Sequence, residues 1–236
     1  MKILIYPSVA EHAEAAAEFI ATTVSNHGGP LGLATGSTTE PVYKQLCREY
    51  SLPKELEMFA LDEYFQIEPD SPSSFRQTLV NQFVNPCGLE ASNLFVPPAS
   101  ADEGELVSFE ANLKSKGPLS LQLLGIGRNA HIAFNEPGSD FNSKTRKVDL
   151  SETTKQDNAK FFDGEVPDSA VTQGIATIMQ ADRLLLLATG SSKANAIGSI
   201  FEKSSKTPAA MLREHRDVTL MLDAQAASEV PKDWID

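Results

Sequence analysis

The stretch "LSLQLLGIGRNAHIAFNEPGS" (residues 119–139) begins like a buried strand and continues through a glycine turn into a segment without regular periodicity. Its first eight residues are largely apolar without strict alternation, as in parallel strands that are covered on both faces. Runs of the same kind recur along the chain. They are "KILIY" (2–6), "PLGLA" (30–34), "LEMFA" (56–60), "DRLLLLA" (182–188) and "VTLML" (218–222).

Stretches with a helical pattern lie between these runs. They cover residues 8–26, 40–50, 73–84, 101–115, 170–180 and 191–203. Strands that alternate with helices predict an α/β fold: a doubly wound, mostly parallel, Rossmann-like sheet with helices on both faces. A single domain over residues 1–236 is expected for a chain of this length. Ligands of such sheets bind at the carboxyl ends of the strands, so the strand exits are the places to search for a site.

The formal net charge of −12 argues against a nucleic-acid partner, because binding a phosphate backbone requires concentrated Lys and Arg. It leaves a small phosphorylated ligand open, since charges beyond about 8 Å are screened at physiological salt. No signal peptide and no apolar run of ~18 residues is visible, so no membrane span is expected. Cys47 and Cys87 form no metal-binding pattern, and such sparse cysteine use fits a reducing, cytoplasmic compartment.

Two strand exits have the same composition. "LATGSTTEP" (33–41) and "LATGSSKAN" (187–195) each run from an apolar strand through Thr-Gly-Ser into the start of a helix. Glycine permits a close turn, and the first N–H groups of a helix lack partners, so such a turn can bind an anion. A helix cap without a ligand is the alternative for either copy. Two copies, one of them with Lys193, favour phosphate binding.

The turn "GIGRNA" (125–130) matches the relaxed dinucleotide-binding pattern G-x-G-x-x-A. That pattern also requires a long helix that starts at the turn, and Pro137 follows too soon for one. Two alternatives remain for this loop. His131 is either a packed residue of a structural turn, or a group that moves protons near neutral pH with Asn129 and Glu136 beside it.

Adjacent carboxylates follow another strand in "FALDEYFQ" (59–66). Asp62 and Glu63 either cap the next turn or supply a general base at the ligand edge of the sheet. Segment 139–170 is polar, poorly periodic and enriched in Lys and Arg, which indicates a surface excursion or a mobile lid at about residues 140–170.

Four motifs together resemble one known family. They are "GLATGSTTEPVY" (32–43), "LDEYF" (61–65), "GIGRNAHIAFNEPGS" (125–139) and "VPDSAVTQGIATIMQAD" (166–182). With these motifs the chain resembles the glucosamine-6-phosphate deaminases, of the family that also contains the 6-phosphogluconolactonases. The resemblance covers nearly the whole chain in the family's order, and "HIAFNEPGS" after a glycine turn is its most specific part.

The resemblance implies conversion of glucosamine 6-phosphate and water into fructose 6-phosphate and ammonia, with no cofactor and no metal. It implies that Asp62 moves a proton between C2 and C1, and that His131, supported by Asn129 and Glu136, assists ring opening. The implied substrate-binding residues are Thr35, Gly36, Ser37, Thr38, Gly125, Lys160 and Lys193. The expected partner is therefore a small amino-sugar phosphate.

The chain departs from some relatives at two of these positions. Asn129 stands where some relatives have aspartate, which leaves one carboxylate fewer to stabilise a charged histidine. Lys160 stands where some have arginine, so it would bind phosphate as a point charge and not as a planar fork. The chain is also shorter at its C-terminus than relatives that form allosteric hexamers, which favours a monomer.

Two other functions compete with the deaminase reading. A 6-phosphogluconolactonase would be expected to read "GxDGHTASLFP" at the histidine loop, where this chain reads "GRNAHIAFNEP" (127–137). A non-catalytic sugar-phosphate-sensing domain would normally accompany a DNA-binding segment, and a strand is predicted from residue 2. The presence of Asp62, His131 and Glu136 together favours an enzyme.

Overall fold

The parallel strands form one sheet of seven. A computed structural model describes residues 1–159, 162 and 164–234. The sheet strands are β1 (Lys2–Tyr6), β2 (Leu31–Leu33), β3 (Met58–Ala60), β5 (Leu94–Phe95), β6 (Leu121–Leu124), β9 (Leu184–Ala188) and β10 (Val218–Asp223). They are ordered β1-β10-β9-β6-β2-β3-β5, and every neighbouring pair is parallel. The prediction of a doubly wound, mostly parallel α/β fold is confirmed.

The helices follow the predicted stretches at most positions. They are α1 (Val9–His27), α2 (Thr39–Glu49), α3 (Phe75–Leu79), α4 (Glu103–Ser115), α5 (Glu152–Asn158), α6 (Ile175–Ile178) and α7 (Ala194–Phe201). Helix α3 continues as a π-helical turn, Val80–Val84. Side chains of Ser8 and Asp102 accept hydrogen bonds from backbone N–H groups and begin α1 and α4, which explains their sharp starts. No helix in the described part of the chain is long and apolar enough to cross a bilayer.

A second, antiparallel sheet corrects the prediction of a helix over 170–180. Its strands are β4 (Asp62–Tyr64), β8 (Ser169–Thr172) and β7 (Arg146–Asp149), in the order β4-β8-β7. Residues 169–172 are helical in local pattern, but they pair with partners far away in sequence on both sides. Tertiary pairing overrides local propensity here, and only the short α6 remains of the predicted helix.

The described residues of the polar segment 139–170 are more ordered than their composition indicates. They include β7 and α5, and they contribute to a small apolar cluster. Leu150 and Ala170 of the segment pack there with Tyr64 and Phe134, which come from β4 and the histidine loop. The segment is therefore packed against the candidate site, and whether it moves as a lid stays a prediction.

The two cysteines form a disulfide, which the sequence did not predict. Cys47 lies on α2 and Cys87 follows the π-helical turn, and their Cα atoms are 4.5 Å apart. Spacing along the chain carries no sign of this contact, because 40 residues separate the two positions. The expectation that sparse cysteine use reflects a reducing compartment disagrees with this bond.

Candidate active site

A cavity of about 680 Å³ lies at the carboxyl edge of the parallel sheet. The exits of β2, β3, β6 and β9 open into it. Of the residues that the sequence selected, those that line it are Thr35, Gly36, Ser37, Thr38, Asp62, Gly125, His131 and Lys193. Asn129 and Glu136 stand behind His131, and Lys160 lies outside the described residues.

A second depression, of about 620 Å³, lies at the opposite, amino edge of the same sheet. Its charged side chains are already paired with one another or with neighbours: Arg183 with Asp217, Arg216 with Asp182, and Lys116 with Glu57. Ligands of parallel sheets bind at the carboxyl edge. We therefore place the candidate site in the first cavity.

The two Thr-Gly-Ser turns meet at one wall of the cavity. The hydroxyl oxygens of Thr38 and Thr189 are 3.2 Å apart, although 151 positions separate the two residues. Gly190 has a φ of 87°, a conformation that side chains disfavour, and its N–H donates to the Asp223 carboxylate at 3.0 Å. Helix α2 starts at this wall without a side-chain cap, and the Glu40 N–H donates to the Gly36 carbonyl at 3.2 Å. The hydroxyls of Thr35, Ser37 and Thr38, with Lys193 beside them, suit a phosphate.

Asp62 and Glu63 are neighbours in β4 but face different surroundings. Asp62 lines the cavity with 7% of its surface exposed, and burial, with a smaller contribution from Glu63, raises its pKa to about 8. The Glu63 carboxylate instead accepts the backbone N–H groups of Tyr64, Phe75 and Arg76, each at 2.9 Å. Glu63 thus caps the start of α3, and Asp62 is the carboxylate that faces the cavity.

The loop after β6 holds His131 by backbone shape. The Gly127 N–H donates to the His131 carbonyl at 3.0 Å. A Cβ atom on Gly127 would lie 2.2 Å from Cε1 of His131, so only glycine leaves room for the ring. Ala130 and Ala133 have φ values of 64° and 50°, in the left-handed region that residues other than glycine rarely occupy. Such strain persists where surrounding contacts hold it, and it is frequent at functional sites.

Glu136 is the centre of the contacts behind His131. Its Oε2 atom lies 3.6 Å from His131 Nδ1 and accepts the Asn129 amide N–H at 2.6 Å. Its Oε1 atom accepts the hydroxyls of Ser151 (3.0 Å) and Thr154. Burial raises the pKa of this carboxyl, but the His131 ring, the Thr154 hydroxyl and the Asn129 amide outweigh burial and lower it to about 2. The carboxylate is therefore ionised at neutral pH and faces the ring.

Asn135 is a residue of this loop that the sequence interpretation missed. It is fully buried, and its amide N–H groups donate to the carbonyls of Ile132 (3.2 Å) and Gln173 (2.8 Å). Its carbonyl accepts Arg146 Nη1 at 2.9 Å. Asn135 thus ties the histidine loop to β7 and to Gln173, the residue that follows β8. The sequence offered one signal for this role, a polar residue between Phe134 and Glu136. An amide that is buried at such a position needs hydrogen-bond partners.

Helix α5 forms a further wall, which was also missed. Thr154, Asp157 and Asn158 line the cavity from this helix. Arg128 of the histidine loop forms an ion pair with Asp157, with Nε 3.0 Å from Oδ2 and a second, shorter contact between the other guanidinium and carboxylate atoms. The pair spans from the loop to the helix, so it holds the two walls of the cavity together.

Aromatic rings form the apolar side of the cavity. Tyr64, Phe75 and Phe134 line it, with ring centroids 4.7 Å apart for Tyr64 and Phe75 and 5.8 Å apart for Phe75 and Phe134. Among the described residues, no group of three or more His, Cys, Asp or Glu is placed to hold a metal ion.

Comparison with known proteins identifies the family to which the chain belongs. The family model for glucosamine-6-phosphate isomerases/6-phosphogluconolactonase matches residues 7–221. The chain belongs to this family. Curated members that resemble it include the glucosamine-6-phosphate deaminase of Geobacillus sp. (strain WCH70), 38% identical with 98% of this chain and 96% of the relative covered. Glucosamine-6-phosphate deaminase 1 of Bacillus subtilis (strain 168) is 39% identical, with 98% and 100% covered.

Solved structures of the family agree with the fold. A monomeric glucosamine-6-phosphate deaminase superposes with a TM-score of 0.92 at 38% identity, covering 97% of this chain and 100% of the other. A 6-phosphogluconolactonase from Trypanosoma brucei gives 0.76 at 21% identity, with 98% of each chain covered. The second match supports the fold alone.

Proposed function

We propose that this protein is a glucosamine-6-phosphate deaminase, which converts glucosamine 6-phosphate and water into fructose 6-phosphate and ammonia. The observation that carries the proposal is the placement of a buried carboxylate, Asp62, and a His131–Glu136 pair around one cavity. The family relationship supports it, since the relatives at 38–39% identity are named for this activity.

In the proposed mechanism, the Thr-Gly-Ser turns and Lys193 hold the 6-phosphate, and His131 carries a proton between the ring oxygen and the C1 hydroxyl during ring opening. Glu136, whose Oε2 atom lies 3.6 Å from Nδ1, keeps the imidazole oriented. These roles are supported by the positions of the two turns, Lys193 and His131 at the cavity wall, with Glu136 behind the imidazole.

Asp62 then removes the proton from C2 of the open-chain aldehyde and returns it to C1. The electron pair of the broken C2–H bond forms the C1=C2 double bond of an enolamine, and the C1 oxygen takes up a proton to become a hydroxyl. When C1 receives its proton, the nitrogen lone pair forms the C2=N bond and nitrogen releases a proton, which gives the imine of a ketose. Water adds to that imine at C2, and ammonia leaves. Burial suits Asp62 to this step, because a carboxylate with a raised pKa is a stronger base.

We further propose a monomer that works in the cytoplasm on a small amino-sugar phosphate, without nucleic acid, and with residues 140–170 as a lid. The monomeric assembly described for the 38%-identical structure supports the first point. The contacts of α5 at the cavity support the lid. The Cys47–Cys87 disulfide is the observation that opposes a reducing compartment.

The decisive experiment measures ammonia and fructose 6-phosphate from glucosamine 6-phosphate, beside hydrolysis of 6-phosphogluconolactone, with no added metal or nucleotide. We expect ammonia release and no lactone hydrolysis above the spontaneous rate. In deuterated water, Asp62→Asn should abolish exchange at C2, whereas His131→Asn should slow turnover less severely because sugar rings also open unaided. Lactone hydrolysis without ammonia release would contradict the proposal.

A further inference from the structure

The hydroxyls of α5 contact a carboxylate on another element. Thr154 Oγ1 donates to Glu136 Oε1, and Ser151 Oγ lies 3.0 Å from the same oxygen and 3.0 Å from Thr154 Oγ1. Ser151 has one hydroxyl proton and can donate to one of these two atoms at a time. Thr154 Oγ1 donates to Glu136, whereas Ser151 divides its proton between Glu136 and Thr154 and so supports the first contact.

The placement of Thr154 is not that of an ordinary surface threonine. Thr154 is 2% exposed, whereas Thr153, which precedes it on the same helix, is exposed. Thr154 lies in the first turn of α5, and its hydroxyl turns towards Glu136 on another element. The two oxygens of Glu136 are thus divided between two elements: Oε1 faces α5, and Oε2 faces His131 and Asn129.

The side chains of α5 and its N-cap that contact Glu136 are hydroxyls and not charged groups. Among the described residues, His131 is the titratable group in contact with the carboxylate, and it belongs to the same loop. Helix α5 presents hydroxyls to Glu136, while its Asp157 pairs with Arg128 and its Lys155 pairs with Glu152 and Asp168. The contact between α5 and Glu136 is therefore made of hydrogen bonds and not of an ion pair.

We propose that Thr154, supported by Ser151, is a positioning residue of the active site. Its hydroxyl bonds to Oε1 of Glu136 and so fixes the orientation of the carboxylate, with Oε2 facing His131. Proton transfer by His131 therefore depends on the packing of α5 against the histidine loop. The role of His131 rests on the proposed function. The contact itself does not, and the test below separates the two.

The kinetic test compares two neighbouring threonines. Thr154→Val keeps the shape of the side chain and removes the hydroxyl, and Thr153→Val makes the same change on the exposed face. We expect Thr154→Val to lower kcat about 10-fold, equivalent to about 1.4 kcal/mol, with little change in KM, because phosphate binding is not touched. Thr154→Ser should recover most of kcat, and Thr153→Val should match the unmodified protein. Equal kcat values for the two valine variants would overturn the proposal.

A second measurement needs no activity. The Glu136 carboxyl carbon, labelled with ¹³C and assigned through Glu136→Gln, should show no ionisation of its own above pH 4.5 in the unmodified protein and in Thr153→Val. In Thr154→Val its titration should move up towards the ordinary range of glutamate. An unchanged titration in a folded Thr154→Val variant would overturn the proposal. If Thr154→Val does not fold, the same comparison is made with Ser151→Ala. The expected shift in a protein that releases no ammonia would support the contact and contradict the proposed function alone.

Discussion

Asp62 and Glu63 show how strongly surroundings separate two carboxylates that are adjacent in sequence. Successive side chains of a strand point to opposite faces, so β4 directs one towards the cavity and the other towards α3. Burial raises the pKa of Glu63 as well, and three backbone N–H groups offset part of that effect by donating to its carboxylate. Asp62 lines the cavity beside aromatic rings, and its pKa is raised to about 8 by burial. A strong base and a structural cap therefore come from the same dipeptide.

The first prediction concerns the pH dependence of the Asp62 base. A general base acts in its ionised form, so kcat/KM should rise with pH and level off above the pKa of the group, near 8. Asp62→Asn should lower kcat by ~10²–10⁴-fold or more, because the amide cannot accept the C2 proton. The measurement is ammonia release between pH 5 and pH 9.

Asp70→Asn, a change at an exposed aspartate, serves as the control for Asp62→Asn. It should retain the pH profile of the unmodified protein. A profile of the unmodified protein that is already level above about pH 5, where an ordinary aspartate is fully ionised, would contradict the role of burial at Asp62.

The second prediction concerns Lys193 at the wall formed by the Thr-Gly-Ser turns. Lys193→Ala should raise KM for the phosphorylated sugar by roughly 10–150-fold, the range of a charge-assisted contact worth ~1.5–3 kcal/mol. Binding of unphosphorylated glucosamine should change far less, because it has no phosphate to lose contact with. Lys203→Ala, on an exposed lysine that follows α7, is the matched control. An unchanged KM in Lys193→Ala would show that the second Thr-Gly-Ser turn is a helix cap and does not bind the phosphate.

At the scale of elements, local pattern identified six of the seven parallel strands and missed β5 and the antiparallel sheet. Strands β2, β6 and β9 are apolar runs buried on both faces, and such runs are visible in sequence. Strand β8 reads "SAVT" inside a stretch of helical pattern, and its identity depends on pairing with β4 and β7. Pairing between distant segments has no local signature, so β4, β7 and β8 could not be derived from periodicity.

The third prediction concerns α5 and the ion pair between Arg128 and Asp157. Asp157→Asn should speed hydrogen exchange of the α5 amides by roughly 1.5- to 5-fold, because a partly exposed pair contributes only ~0.2–1 kcal/mol. The side chains of Arg128 and Asp157 are 48% and 35% exposed, which places the pair in that class. Exchange measured by mass spectrometry on peptides covering residues 150–159 checks the expectation.

The matched control for Asp157→Asn is Asp217→Asn, which removes an Arg–Asp pair at the amino edge of the sheet. It should leave exchange in α5 unchanged. Equal exchange of α5 in Asp157→Asn and the unmodified protein would show that the apolar cluster around Phe134 and Leu150 holds the helix without the ion pair.

At the scale of the whole molecule, the sheet explains why part of the candidate site could be selected from sequence. Thr38, Asp62, His131 and Lys193 are far apart along the chain, but each follows a strand of the structure, and such exits meet at one edge. The contacts of Thr154 with Glu136 could not be selected in this way. They depend on how residues 139–170 fold back over that edge, which requires the antiparallel sheet to be known first.

The fourth prediction concerns the disulfide, which acts on the stability of the whole chain. It closes a loop of 40 residues between α2 and the π-helical turn, and a bond of this kind typically contributes ~2–4 kcal/mol by restricting the unfolded chain. Reductant should therefore lower the free energy of unfolding in urea by about that amount. Cys47→Ser should show the lowered value from the start and no further response to reductant.

Measurements of activity and of free thiols test whether the disulfide is compatible with a reducing compartment. The cavity is lined by the start of α2 and by Gln82 of the π-helical turn, the two elements that the bond joins. Both elements also pack through buried side chains, among them Tyr43 and Phe83 with ring centroids 4.8 Å apart. We therefore expect the reduced protein to keep its fold and most of its activity below its lowered melting temperature, which would make the disulfide compatible with work in a reducing cytoplasm. Two outcomes together would show that the bond does not form. The folded protein, isolated without reductant, would have two reactive thiols, and reductant would not shift its unfolding curve.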